Sequence, residues 1–191
     1  MESPKNSMPL RLQSARLVLV SATRAHLEAE LSGFSGDIGN HPLAALLDAD
    51  LPTRWPPEFY ESADLARYLE VLKAHPSDAG WGMWYLLHRA SPSERPRAIG
   101  IAGFTGPPDA DGVVTLGYSI VPTARGRGYA SEAAGALIAF AFADKSVTAI
   151  AAETFPDLVP SVGVLLKCGF EPGPGAKRSG AIRFLRARPK P

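Results

Sequence analysis

Residues 121–133, "VPTARGRGYASEA", bring two arginines and two glycines together at the point where an apolar helical run begins. A helix N-terminus carries unpaired backbone N–H groups and a partial positive charge. Gly126 and Gly128 remove the Cβ atoms that would hold a ligand off that backbone, while Arg125 and Arg127 add charge beside it. These residue types suit a diphosphate. A tight strand-to-helix turn with two exposed arginines is the alternative that the motif alone leaves open. Two well-known phosphate loops are excluded: "GxxxxGK[ST]" is absent, and "GxGxxG/A" fails because Ser131 stands where its last small residue belongs. The four histidines, His26, His41, His75 and His88, have no metal-ligand spacing. Cys168 is the only cysteine, which rules out an intramolecular disulfide and a cysteine-built metal centre, so no metal is expected.

For that turn to bind an anion it must be held between a strand and a helix, and the flanking patterns supply both. "GVVTLGYSIV" (112–121) reads as a strand and "RGYASEAAGALIAFAFADK" (127–145) as a long apolar helix. "WGMWYLLHRA" (81–90) and "RAIGIAGFTG" (97–106) precede them as strands, separated by the turn signals "SPSERP" and "PPDADG", which predicts an antiparallel meander. Downstream, "VTAIAAETF" (147–155) predicts a strand, "VPSVGVLLKCG" (159–169) a helix stopped at Gly169, and "AIRFLRARP" (181–189) a last strand. Upstream, "LRLQSARLVLV" (10–20) predicts one strand or two short ones. "SATRAHLEAELSG" (21–33) predicts a helix capped by Ser21 or Thr23 and ended at Gly33. The glycine- and proline-broken segment 34–60 predicts a cap with a short helix over Ala44 to Leu47, and "SADLARYLEVLKAHP" (62–76) a helix ended by proline. The fold class expected is α+β, a mixed α/β arrangement in one domain over residues 1–191, with residues 1–8 disordered.

Composition narrows the partners. The chain has 191 residues, 46% hydrophobic and 20% charged, with a formal net charge of +1. That balance belongs to a globular protein and gives no reason to expect nucleic acid. The longest apolar run, "AAGALIAFAFA", falls well short of the roughly 20 residues that span a bilayer. No membrane partner is expected, and a cytoplasmic setting suits the single cysteine.

"RGRGYA" resembles the acetyl-CoA pyrophosphate loop of the GNAT superfamily of N-acetyltransferases, Gln/Arg-x-x-Gly-x-Gly/Ala. "LGYSIVPTARGRGYASEA" and "AETFPDLVPSVGVLLKCGF" are similar to two segments of the branch that includes ribosomal-protein N-terminal acetyltransferases. The resemblance is strong over roughly residues 81–170 and implies a central, mostly antiparallel sheet flanked by helices. Two parallel strands, "GVVTLGYSIV" and "VTAIAAETF", would splay in it to admit the pantetheine arm. Acetyl-CoA is the implied co-substrate, held by Arg125, Gly126, Arg127, Gly128, Tyr129, Ala130 and Ser131. A backbone N–H near Ser119, Ile120 or Val121 is implied as donor to the thioester oxygen. A primary amine of a small molecule or a peptide N-terminus is the implied acceptor, and a homodimer through edge strands the implied assembly.

The catalytic residues depart from the family pattern. Thr115 stands where many relatives have a glutamate, Leu158 where an asparagine is usual, and Leu165 where some members have an acidic tyrosine. Glu153 is the remaining candidate base, and a salt-bridged strand-end carboxylate is its alternative reading. Ser161 matches the family serine and is a candidate near the coenzyme sulfur; a helix N-cap is the alternative. Trp55, Phe59, Tyr60, Trp81 and Trp84 are candidates to line the acceptor pocket, and Asp37, Asp48 and Asp50 to meet an amine cation. Two functions therefore compete: an N-acetyltransferase working by direct attack, and an acyl-CoA-binding or sensing protein that has lost efficient catalysis.

Overall fold

The computed structural model describes residues 8–33, 41–58, 60, 62–89, 91 and 93–189. The predicted disorder of residues 1–8 falls, apart from Met8, outside these. The strands are β1 (Arg11–Gln13), β2 (Leu17–Ser21), β3 (Met83–His88), β4 (Arg97–Phe104), β5 (Val113–Ile120), β6 (Ala149–Thr154), β7 (Glu171–Gly173) and β8 (Ile182–Ala187). The helices are α1 (Arg24–Gly33), α2 (Pro42–Leu47), α3 (Ser62–Ala74), α4 (Tyr129–Ala143) and α5 (Val159–Lys167). The strands form one eight-stranded sheet in the order β1-β2-β3-β4-β5-β6-β8-β7. Every pairing is antiparallel except β5 with β6, whose connection is α4. The mixed α/β fold with a mostly antiparallel sheet is thus observed.

Helices cover both faces of the sheet. On β3, Tyr85 donates to Glu30 of α1, whereas its neighbour Trp84 packs edge-on against Phe140 of α4. Successive strand residues point to opposite faces, so α1 lies on one side and α4 on the other. That double cover explains why Met83 through Leu87 is a continuous buried apolar run and not an alternating one. The buried face of α4 carries Ala133, Ala134, Leu137, Ile138 and Ala141. Small side chains on that face let the helix lie close on the sheet, and Leu137 alone, fully buried, contributes about 1.5–3 kcal/mol.

Local chemistry sets the breaks between elements. Gly112 turns the chain into β5 at φ 75°, and a Cβ there would sit 2.4 Å from the Ser146 carbonyl oxygen, so only glycine fits. Asp109 stabilises the same turn by accepting from the Asp111 and Val113 amides at 3.0 and 2.8 Å. At the end of α5, Gly169 takes φ 75° while the Phe170 amide reaches back to the Leu165 carbonyl and the Gly169 amide to Leu166. This double bond pattern is a Schellman stop. Thr23, not Ser21, precedes α1 and accepts from the His26 amide; Ser21 belongs to β2, where its hydroxyl accepts from Leu10. "LRLQSARLVLV" divides into two strands because Ser14 closes a turn, its amide donating to the Leu17 carbonyl. No local signal marks β7, whose three residues are defined by pairing with β8. Among the described residues no helix is long and apolar enough to cross a membrane.

Candidate active site

The strands β5 and β6 part company along their length. They pair only over Val113–Thr115 with Ala149–Ala151, yet β5 continues to Ile120 and β6 to Thr154. Beyond Thr115 the outer edge of β5 has no strand partner. Val121 donates to the Ile99 carbonyl at 2.9 Å and Ser119 pairs with Ile101, so both direct their backbone groups to β4. The alternation of an antiparallel ladder then turns Tyr118 and Ile120 toward β6. Of the three residues expected to offer a backbone donor, only Ile120 has its amide in the opening, and Tyr118 joins it.

This opening is part of a cleft of about 390 Å³. Its floor is β4 and β5, and its sides are β6, the start of α5 and the inner face of α3. The arginine–glycine turn follows the C-terminal end of β5, beyond the residues that line this cleft. There Gly126 and Gly128 adopt φ 75° and 79°, a left-handed conformation that L side chains rarely take. A Cβ on Gly126 would meet no protein atom within 4 Å, so the space above the backbone is open. The amides of Gly126, Arg127, Gly128, Tyr129, Ala130 and Ser131 have no acceptor among the described residues. Six free donors at the start of a 15-residue helix make a site into which a diphosphate fits.

The two arginines of the turn behave differently. Arg127 is exposed. Arg125 is built into the scaffold: its Nε donates to the Ile120 carbonyl at 2.9 Å and its Nη2 to Glu58 at 2.7 Å. Glu58 also accepts from the Ser119 hydroxyl through its carbonyl, at 2.7 Å. The front cap is therefore pinned to the end of β5 at two points.

The turn has a support that the sequence did not reveal. Glu132, in the first turn of α4, accepts from the Ser14 hydroxyl, the Arg16 amide and the Arg16 guanidinium, each at 2.7 Å. Burial pushes its carboxyl up, but these donors outweigh it and hold the pKa below the usual range. Arg16 also donates to the Arg127 carbonyl at 3.0 Å and lies over the Tyr129 ring at 4.5 Å. Glu132 stands in the quoted "GYASEA" motif, so its position was visible although its role was not. Arg16 lies over a hundred residues away, and nothing around it marked it.

Glu153 lines the cleft, with its side chain only 12% exposed. Both carboxylate oxygens are engaged: Oε1 by the Lys177 amide at 2.7 Å and Oε2 by the Arg178 amide at 3.3 Å. Arg178 adds its guanidinium at 3.5 Å and also donates to the Glu153 carbonyl. The Lys177 amide above all, with Arg178, lowers its pKa from the ordinary carboxylate value. The carboxylate thus ties the β7–β8 connection to β6.

Ser161 is the third residue of α5, and the N-cap is Leu158, which offers no side-chain bond. The N-cap alternative for Ser161 is therefore corrected: Pro160 and the β6–α5 turn start the helix three residues earlier than a serine cap would. Its hydroxyl lies 3.1 Å from that of Tyr118, which donates to the Ser161 carbonyl at 3.0 Å. Burial raises the Tyr118 phenol to about 12, against the Ser161 bond. Leu158 and Leu165 line the same wall.

The expected aromatic set splits. Tyr60 and Trp81 line the cleft. Trp84 is core, its indole donating to the Gly80 carbonyl, and Trp55 is buried against Glu30 at 2.8 Å. Phe59 and Asp37 lie outside the described residues. Asp48 and Asp50 pair with Arg95, away from the cleft; the acidic residues that line it are Asp64, Asp78 and Glu153. Tyr68 lines it too, and its hydroxyl, buried against Gly82, has no hydrogen-bond partner among the described residues. Of the histidines, His41 caps α2 by accepting from the Leu43 amide and His88 packs on Tyr129. Among the described residues no group of three His, Cys, Asp or Glu side chains is placed to hold a metal.

The site can be compared with known proteins. Residues 16–171 match the acetyltransferase (GNAT) domain family. "Uncharacterized N-acetyltransferase YjdG" of Bacillus subtilis (strain 168) is 30% identical over 117 residues, 61% of this chain and 66% of the relative, just under two thirds of its length. A putative ribosomal-protein-serine acetyltransferase from Vibrio cholerae superposes with a TM-score of 0.60 at 18% identity, over 95% of this chain and 100% of that one. RimL, a ribosomal-protein α-N acetyltransferase solved in complex with coenzyme A, gives 0.61 at 14% identity, over 91% and 95% of the two chains. The family match spans the splayed strands, the arginine–glycine turn and the helix after β6, and this chain belongs to the GNAT acetyltransferase family.

Proposed function

We propose that this protein is an acetyl-CoA-dependent N-acetyltransferase that passes acetyl directly from thioester to a primary amine. One observation carries the reading: β5 and β6 part beyond Thr115, and the turn that follows β5 offers six amides with no acceptor among the described residues. The names of its relatives, an N-acetyltransferase among them, agree with it. When bound, acetyl-CoA supplies the activated acyl group. The residues of the chain do the rest. Gly126 to Ser131 seat the diphosphate, with Arg16 and Glu132 holding the turn in shape. The outward amides of Tyr118 and Ile120 bind along the arm and offer a donor to the thioester oxygen as charge develops on it.

Glu153 holds the β7–β8 connection in this reading and does not act as the base. A carboxylate whose pKa is lowered and whose oxygens already accept two amides abstracts a proton poorly. An α-amino group with a pKa of about 7.7–8.0 is partly neutral at pH 7 and needs little help, whereas a lysine near about 10.4 does. The acceptors favoured are therefore peptide N-termini and weakly basic small amines. A lone buried cysteine suits a reducing cytoplasm.

Acetyl-CoA at a hundred times its Kd should raise the melting temperature by about 5–11 °C, and thiol should then be released when a panel of amines and peptides is added. No shift at millimolar acetyl-CoA defeats the reading. A shift without turnover on any acceptor favours the acyl-CoA-binding alternative.

A further inference from the structure

We propose that the Tyr118 hydroxyl is a catalytic hydrogen-bond donor to the coenzyme sulfur, exchanging its bond to the Ser161 carbonyl for one to the leaving thiolate. The inference rests on the acetyl-transfer reading above. Tyr118 occupies the right place for geometric reasons. An acyl carrier anchored by its diphosphate at Gly126–Ser131 enters from the C-terminal end of β5 and runs along the free edge of that strand. Leu116 and Tyr118 are the last residues to turn their backbone into the opening before the pairing of Thr115 with Ala151 closes it, and Tyr118 is the one of the two that carries a hydroxyl. The reacting end of the arm, which lies deepest, is therefore beside Tyr118.

The side chain of Tyr118 reaches across that opening to α5, where its hydroxyl meets the Ser161 carbonyl at 3.0 Å and the Ser161 hydroxyl at 3.1 Å. Among the other hydroxyls near the cleft, Ser119 donates to Glu58, Tyr60 contacts the Met83 sulfur, and that of Tyr68 is buried on the α3 side against Gly82. Leu165, one turn along α5 from Ser161, is buried and apolar. Tyr118 and Ser161 are thus the hydroxyl pair at the deep end, and the Ser161 hydroxyl can donate to the Tyr118 oxygen as the phenol turns to sulfur.

The chemistry points to donation without proton transfer. The amine lone pair attacks the thioester carbon, the C–S bond breaks, and its electron pair stays on sulfur. The ammonium formed by attack loses one N–H proton, which ends on sulfur to give amide and thiol. A phenol held at about 12 is a weaker acid than an ordinary thiol near about 8.5, so it remains protonated and stabilises the developing thiolate as a fixed donor.

Two measurements on Tyr118→Phe test this. First, the ultraviolet thiolate absorbance of bound coenzyme A is titrated against pH. Loss of the donor should raise the bound thiol pKa by about one unit, a tenfold change in ionisation. Second, kcat with the best acceptor should fall by about 10–100-fold while the Kd for acetyl-CoA stays within threefold and the pH profile keeps its shape. Ser161→Ala, which leaves the carbonyl acceptor in place, should cause smaller changes in the same direction. An unchanged thiol pKa in Tyr118→Phe overturns the proposal, as does a kcat within twofold of the parent. If the parent binds coenzyme A but transfers acetyl to nothing, the acetyl-transfer reading fails while the thiol titration still decides whether Tyr118 bonds to sulfur. If Tyr118→Phe fails to fold, Ser161→Ala carries the test, and a bound-thiol pKa equal to the parent's counts against the pair.

Discussion

The two ends of the cleft are built from different materials. In the proposed reading the carrier end works through backbone: amides of the arginine–glycine turn that have no acceptor among the described residues, and the outward edge of β5, exposed because two glycines take positive φ and two strands diverge. At the acceptor end the walls are side chains from α3, the β4–β5 turn and the β7–β8 connection, and beneath them lies a buried network. In that network Glu30 of α1 accepts from Trp55 at 2.8 Å and from Tyr85 at 2.5 Å. A backbone site depends on main-chain geometry and tolerates changes of most side chains. A side-chain site can be re-cut residue by residue, which leaves its specificity free to vary while the carrier stays the same.

The sharpest way to break this contrast is at the carrier end. Gly128→Val forces a branched side chain into φ 79° and should cost about 1–2 kcal/mol of fold stability. It should also weaken acetyl-CoA binding at least a hundredfold, so that isothermal titration shows no heat. Binding within threefold of the parent would mean that the turn is not the cradle. Gly126→Val, at φ 75°, should do the same with a similar loss of stability.

Glu30 probes the acceptor end. Burial raises its pKa to about 6, with the Tyr85 and Trp55 hydrogen bonds opposing. A folded pKa above the unfolded value means that stability is full below the ordinary carboxylate range and is lost as pH rises through about 6. The loss should approach about 2 kcal/mol by pH 8. Glu30→Gln should flatten that slope; a parent melting temperature that does not fall between pH 5 and pH 8 contradicts the assignment.

Glu132→Ala comes next in size. Cutting the Arg16 contacts should cost about 1–2 kcal/mol and weaken acetyl-CoA binding several-fold, since the turn loses its brace and Arg16 its anchor. If stability falls while coenzyme affinity is unchanged, the brace is structural only. The smallest effect is expected for Glu153→Gln, which keeps one carbonyl oxygen for the β7–β8 connection. The acceptor KM should rise about two- to fourfold by loosening that wall, and the pH dependence of kcat/KM should be that of the parent. A collapse of kcat with loss of the low-pH limb would restore Glu153 as the base.

Much of the fold could be read because its signals are local. The periodicities of α1, α3, α4 and α5 and the apolar runs of β3 to β6 each arise within a dozen residues. Segments such as β7 could not be read, since three residues become a strand only when β8 lies alongside. The candidate site divides in the same way. The arginine–glycine turn carries its function in its own φ values and missing Cβ atoms. Ser161 was visible as a hydroxyl in a motif, but its place inside α5 was not, because Leu158 and Pro160 fix the helix start.

By itself, therefore, the sequence marked the turn: glycines at 126 and 128 opening an apolar helix after a strand are residue types that suit an anion cradle, and the backbone shape they favour is local. Only the tertiary structure decided what surrounds it. It brought Arg16 to Glu132, turned Arg125 to Glu58, engaged Glu153 with the Lys177 and Arg178 amides and laid Tyr118 against Ser161. Each of these contacts joins residues more than twenty positions apart, and a side chain's partner at such separation is set by strand register and helix packing, which no local pattern encodes.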